Sequence, residues 1–119
     1  CDVGMSYFLP RSVGASVAAE LMMPGNFLEA ERAERLNLVS RVVELDQLDD
    51  TGAKMAEDML KTSPMGLRFT KEGLNISIDA SSLESVVALE DRGQILCSAA
   101  GYFKEGIDAF RQKREPEYK

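Results

Sequence analysis

Histidine is absent from the 119-residue chain, which removes the side chain that ordinarily serves as general base near neutral pH. Proton transfer within it would have to rest on carboxylates, lysine, tyrosine or cysteine. Cysteine is scarce too: Cys1 and Cys97 stand far apart with no CxxC spacing. Neither a zinc site nor a disulfide framework is indicated, no metal is expected, and a reducing cytoplasm fits best. No apolar run is long enough to span a bilayer, and no basic leader followed by an apolar stretch is present, so no membrane partner is expected. Excess positive charge is also missing. The formal net charge is -6 and the pI is near 4.7, so nothing offers the basic surface that nucleic-acid phosphates require.

What is present is enough for one small domain, since 45% of the residues are hydrophobic and 119 residues can bury a core. The stretch Cys1 to Gly14 reads as a site-like loop, and it is the only part of the chain that does. Behind it, Gly14 to Met23 carries Val17, Ala18, Leu21 and Met22 as one stripe of a short helix ended by Pro24-Gly25. Leu28 to Leu36 reads as a second helix with a solvated face, Glu31 and Arg35 standing at helical spacing. The β-branched run Leu38 to Val43 is the one strand expected, or else an extended connector.

The remainder reads as helical. Asp46 is expected to cap a helix running to about Thr62, with Leu48, Met55, Ala56, Met59 and Leu60 on its buried face. Ser63 caps the next, with Pro64 in its first turn, through about Ile78; its apolar residues include Leu67 and Leu74. Ser81 and Glu84 form a capping box for a helix carrying Leu83, Val86, Val87, Leu89, Ile95 and Leu96 around much of its circumference, so burial on more than one side is expected. Tyr102 to about Lys113 sets Phe103, Ile107 and Phe110 along one helical face, Pro116 blocks continuation, and the tail beyond is expected to be mobile.

Several short motifs, taken in order, resemble the enoyl-CoA hydratase/isomerase, or crotonase, superfamily. They are Asp2-Val3-Gly4 with Leu9-Pro10-Arg11 and Val13-Gly14; Pro24-Gly25 with Ala30 and Ala33; Leu38-Val39 with Val42-Val43; and Ser63-Pro64 with Thr70-Lys71. The last is Phe103-x-x-Gly106-x-x-Ala109-Phe110 with Lys113-Arg114 and Pro116, similar to the family's closing signature E-G-x-x-A-F-x-x-K-R-x-P. Asn37 stands where the family usually has Gly, and Pro24 where Thr is common.

The resemblance implies a fold that is mainly α in this chain, as the C-terminal part of an α/β crotonase (ClpP/crotonase-like) fold with a helical trimerisation region. Residues 1–43 would then be the end of the core (active-site loop, two short helices, one strand or extended segment), and 44–119 the C-terminal helical oligomerisation region. It implies an acyl-CoA hydratase or isomerase with no cofactor beyond the coenzyme A thioester that is its substrate. A homotrimer or hexamer is implied, in a cytoplasmic enzyme whose N-terminal half lies outside this chain, so that the chain alone would be inactive. Such enzymes stabilise a thioester enolate with two backbone amides and move protons with carboxylates. Dienoyl-CoA isomerases of the family carry Asp-Val-Gly ahead of Leu-Pro, and by that match Asp2 is the catalytic candidate. The residues themselves leave a second reading open, a loop carboxylate capping nearby amides beside Gly4.

Phe103, Lys104 and Lys113 are the coenzyme A-binding candidates by the same resemblance: the terminal basic group Arg111, Lys113 and Arg114, with Lys104, would reach phosphate, and Phe103 the adenine ring. The alternative is a solvated helix face with Phe103 and Phe110 in the core. Cys1 reads as a small packing residue and Ser6 has no base, so neither is a nucleophile. A non-catalytic helical assembly module, or an inactive short paralogue, is the competing reading of the whole chain.

Overall fold

The first helix begins three residues after Asp2. In a computed structural model, which describes residues 1–118, the order is α1 (Met5–Val13), α2 (Ala15–Met22), α3 (Ala30–Arg35), a 3-10 turn (Leu45–Gln47), α4 (Leu48–Leu60), α5 (Pro64–Ser77), α6 (Leu83–Ala99) and α7 (Tyr102–Gln112). Two compact units divide the chain, Cys1–Leu48 and the residues from Asp49 onward.

In the first unit, most of the stretch expected as a loop is α1, with Pro10 inside it. An interior proline forfeits one hydrogen bond and costs about 3 kcal/mol. Packing offsets this, because Leu9 and Val13 lie against Ala18, Leu21 and Val17 of α2. The stripe expected on α2 is therefore the core of this unit, with Ala18 and Leu21 buried and Val17 and Met22 packed around them. Gly14 separates the two helices at φ 85, ψ 156, a region essentially closed to residues with a Cβ. Arg32 of α3 grips Glu20 of α2 through one nitrogen at 2.8 and 2.9 Å.

No strand forms among the described residues, so of the two readings of Leu38 to Val43 the strand fails and the connector stands. The cause is local. Asn37 adopts φ 57, and the Leu38 and Asn37 amides bond the Ala33 and Glu34 carbonyls, each at 2.9 Å, the paired closure that ends helices on a left-handed residue. Asn is among the few side chains that tolerate that conformation. The Val42 amide then donates to Glu34 Oε1 at 3.0 Å, so a donor that a ladder would use is already engaged.

In the second unit, Ser63 caps α5 as expected: its hydroxyl accepts from the Gly66 amide at 3.0 Å and Pro64 sits in the first turn. Two other caps differ. Asp46 lies inside the 3-10 turn, where no side chain caps. Helix α6 is capped by Ser82, which accepts from the Ser85 amide at 3.3 Å, rather than by Ser81, because Ser82 holds the extended conformation (φ -158, ψ 160) that a cap needs. The carboxyl of Glu84 is held below its usual range by its own backbone N–H and then by the Ser82 hydroxyl.

Helix α5 packs on α6, and α6 on α7. The first crossing is close because Gly93 is buried against Phe69; a Cβ at Gly93 would meet Phe69 Cδ2 at 3.3 Å. The broad burial expected for these helices does not occur. Leu48, Met55, Met59 and Leu60 of α4 are exposed, as are Leu74 and Ile78, and Leu83, Val87, Ile95 and Leu96 of α6. Phe110 is 86% exposed rather than in a core. An apolar stripe is buried only where another element is laid over it, and these faces have no such cover among the described residues.

Gly14→Ala should lower the stability of the chain by about 1–3 kcal/mol, read from urea unfolding. Gly93→Leu should cost a similar amount, about 1–3 kcal/mol by overpacking against Phe69, and the near-ultraviolet signal should change with it.

Candidate functional site

Asp2 is exposed on a turn whose geometry is unusual. Val3 takes φ 42 and Gly4 takes φ 88, and a β-branched residue at positive φ stores about 1–3 kcal/mol of strain. The Asp2 backbone carbonyl, not its carboxylate, accepts the Met5 amide at 2.9 Å. The carboxylate is therefore not spent on that turn. Val3 is 94% exposed and Phe8, behind it, 56%. One turn further, the Tyr7 hydroxyl is buried with no hydrogen-bond partner among the described residues, an arrangement that costs about 1–3 kcal/mol. Arg11 lies over the Tyr7 ring at 3.6 Å and donates to the Tyr7 carbonyl at 3.0 Å.

The other three candidates belong to the second unit. Phe103 and Lys104 occupy the first turn of α7, both exposed, whereas Lys113 sits past its last turn at φ 53, ψ 39. Ten residues of helix separate Phe103 from Lys113 by roughly 15 Å. The structure thus brings Phe103 and Lys104 together and holds Lys113 at the opposite end of α7. Phe103 borders two clefts. One, of about 540 Å³, runs along α6 past Gln94, Ile95, Ser98 and Ala99. The other, of about 390 Å³, is walled by Tyr102, Ile107, Phe110, Arg111 and Tyr118. The cation that shares a cleft with Phe103 is therefore Arg111. A third cleft, of about 340 Å³, lies between α5 and α6 and reaches Cys97.

The segment expected to be mobile is docked. Glu105 accepts both guanidinium nitrogens of Arg114, Nη1 at 2.6 Å and Nη2 at 3.0 Å, and its Oε1 also accepts the Glu117 amide at 2.7 Å. The Arg114 hydrogen bonds and then the Glu117 amide hold the Glu105 carboxyl down to about 2. The Tyr118 ring meets that of Tyr102 edge-on, with centroids 5.8 Å apart. At the end of α4, Lys61 bonds Asp58 at 3.0 Å and lies 3.9 Å from Glu115; the Asp58 hydrogen bond and the Glu115 charge raise its pKa. None of this was read from the sequence, although Glu105 and Arg114 both stand in the closing motif. Among the described residues no group of three or more metal-ligating side chains is gathered, and no helix is long and apolar enough to cross a membrane.

A sequence profile described as enoyl-CoA hydratase/isomerase matches residues 1–119. The chain belongs to this family. It is 38% identical over 118 residues to a probable enoyl-CoA hydratase of Mycobacterium tuberculosis, covering 98% of this chain and 41% of that protein. It is 32% identical to the 1,2-epoxyphenylacetyl-CoA isomerase of Escherichia coli, covering 98% of this chain and 44% of that one. The crystal structure of a probable enoyl-CoA hydratase/isomerase from Mycobacterium abscessus superposes on the whole chain with a TM-score of 0.93 at 34% identity, covering 46% of its partner. This chain thus spans less than half the length of these family members, and its mainly helical build is shared with crotonase-fold structures.

Glu105 titrates lower in the folded chain than in an unfolded one, so the stability it contributes is present above the unfolded value near 4.5 and is lost as pH falls toward about 2. Nuclear Overhauser contacts between the Tyr118 and Tyr102 rings should persist at pH 7 and weaken across that acid window while α7 stays helical.

Proposed function

We propose that this chain is the C-terminal part of an acyl-CoA hydratase or isomerase that stabilises a thioester enolate and moves protons with carboxylates. The observation that carries the reading is the family match over residues 1–119. The order of the motifs, ending in Phe103 to Pro116, supports the C-terminal placement. Its relatives include a 1,2-epoxyphenylacetyl-CoA isomerase, which supports a coenzyme A thioester as substrate; that no further cofactor is used is part of the proposal. Residues 1–43 would close the core and 44–119 would form the assembly region.

Asp2 is assigned as the acid-base residue. Its support is its Asp-Val-Gly context, its exposed carboxylate and the strained turn that carries it. Phe103, Lys104 and Lys113 are assigned to coenzyme A, with Phe103 and Lys104 toward one end of the nucleotide and Lys113 farther along α7. The exposed apolar residues of α4 and α6 are assigned to subunit contacts in a homotrimer or hexamer, because large uncovered apolar faces mark interaction surfaces. A cytoplasmic location fits two free cysteines.

The same exposed faces also support the alternative of a non-catalytic helical assembly module. Turnover separates the two. The full-length protein that carries this chain should convert crotonyl-CoA or a 3,5-dienoyl-CoA, and Asp2→Asn should lower dienoyl isomerisation by about 100-fold or more with the fold unchanged by circular dichroism. Unchanged turnover would remove Asp2 from the site, and failure to act on any acyl-CoA would favour the assembly module.

A further inference from the structure

The residues after α7 turn back along it, and the turn is not one the chain adopts without cause. Lys113 is in the left-handed region at φ 53, which a side chain with a Cβ disfavours. The Lys113 and Arg114 amides bond the Phe110 and Ala109 carbonyls at 3.2 and 3.1 Å, so the turn satisfies two carbonyls at the end of the helix. Beyond the turn, the chain converges on one carboxylate. Glu105, about two turns upstream of the helix end, binds the Arg114 guanidinium at both oxygens and takes the Glu117 amide as well.

We propose that residues 113–118 are a strap closed by the charge of Glu105, and that the closed strap supplies one wall of the cleft holding Phe103 and Arg111. Tyr118 is the part of the strap that reaches the cleft. Its ring leans on Tyr102, and its hydroxyl lies over Gly106, where a Cβ would approach it to 3.3 Å. The absence of a side chain at Gly106 therefore leaves room for the strap to lie close against α7.

The geometry also says why the grip is concentrated at Glu105. Arg114 has other donor contacts within the strap and its root, Nε on Gln112 Oε1 at 2.9 Å and Nη1 also on the Glu115 carbonyl at 2.9 Å. These contacts shape the strap but do not tie it to the first turns of α7. The tie to α4 is the 3.9 Å approach of Lys61 to Glu115, between side chains more than half exposed, and such a pair contributes little. A two-point carboxylate–guanidinium contact with an added amide is the stronger kind. Glu117 and Asp108 add negative charge near Arg114, yet the carboxylate that hydrogen-bonds its guanidinium is that of Glu105. Neutralising Glu105 removes the strongest of the described ties, leaving among them the left-handed turn, the weak Lys61–Glu115 approach and the Tyr102–Tyr118 ring contact, and the wall formed by Tyr118 should leave the cleft. This inference stands on the geometry of α7 and the strap, and it holds or fails independently of the coenzyme A reading.

Amide hydrogen exchange of the full chain at pH 7 tests it, with wild type, Glu105→Gln and Arg114→Gln compared. The expected result is about a tenfold or greater loss of protection at the Glu117 amide in both variants, with the Ile107 to Phe110 amides of α7 within about twofold of wild type. Trypsin should also cut after Lys113 faster in Glu105→Gln by a similar factor. Retained protection at Glu117 in Glu105→Gln would overturn the strap. So would an equal loss along α7 in both variants, because the pair would then be supporting the helix and not the segment after it.

Discussion

Cover is the constraint on which the rest of this chain depends. A helical stripe of apolar residues is stabilising only when a second surface excludes water from it, and here that condition is met in few places. Leu9, Ala18 and Leu21 meet it between α1 and α2. Phe69 and Gly93 meet it between α5 and α6, where the missing side chain lets the helices approach. Elsewhere Met59, Leu74, Leu83 and Ile95 face outward. On α4 the apolar residues stand at helical spacing but Leu48, Met55, Met59 and Leu60 are exposed. Where the main core is thin, local devices take on more of the work of defining the fold: the Ser63 and Ser82 caps, the Asn37 closure, and the Glu20–Arg32 and Glu105–Arg114 pairs.

The same division decides how much of the fold is legible in the sequence. Helix α2, the Ser63-Pro64 start of α5 and the extent of α7 were legible because each is determined by neighbours in sequence: a periodic stripe, a cap with a first-turn proline, and an apolar face stopped before Pro116. Burial was not legible, because Leu83 and Leu96 look the same in sequence whether or not another surface covers them. The choice between strand and connector at Leu38 to Val43 was not legible for a related reason. β-Branched content describes what fits a sheet, but the Val42 amide is taken by Glu34, a contact eight residues back that periodicity does not register. The loop reading of Cys1 to Gly14 failed because Pro10 stands inside a helix that packing supports.

The candidate site divides similarly. Asp2 was found through its neighbours Val3 and Gly4, and the structure adds that this tripeptide is a strained, exposed turn. The α7 candidates came from the resemblance, Arg111 among the basic residues named with them, and the structure separates Lys113 from Phe103 while setting Arg111 in a cleft beside it. The Glu105–Arg114 contact was legible only in part. Both residues belong to a recognisable motif, yet nothing in a nine-residue separation shows that the chain reverses at Lys113 and brings them together.

The contact between Tyr102 and Tyr118 has a practical side. The chain contains three tyrosines and no tryptophan, and two of those tyrosines meet edge to face. Its ultraviolet emission therefore comes mainly from three tyrosine rings, two of which sit where the chain folds back on α7. The molecule carries an optical label of its own where Tyr118 meets the helix before it.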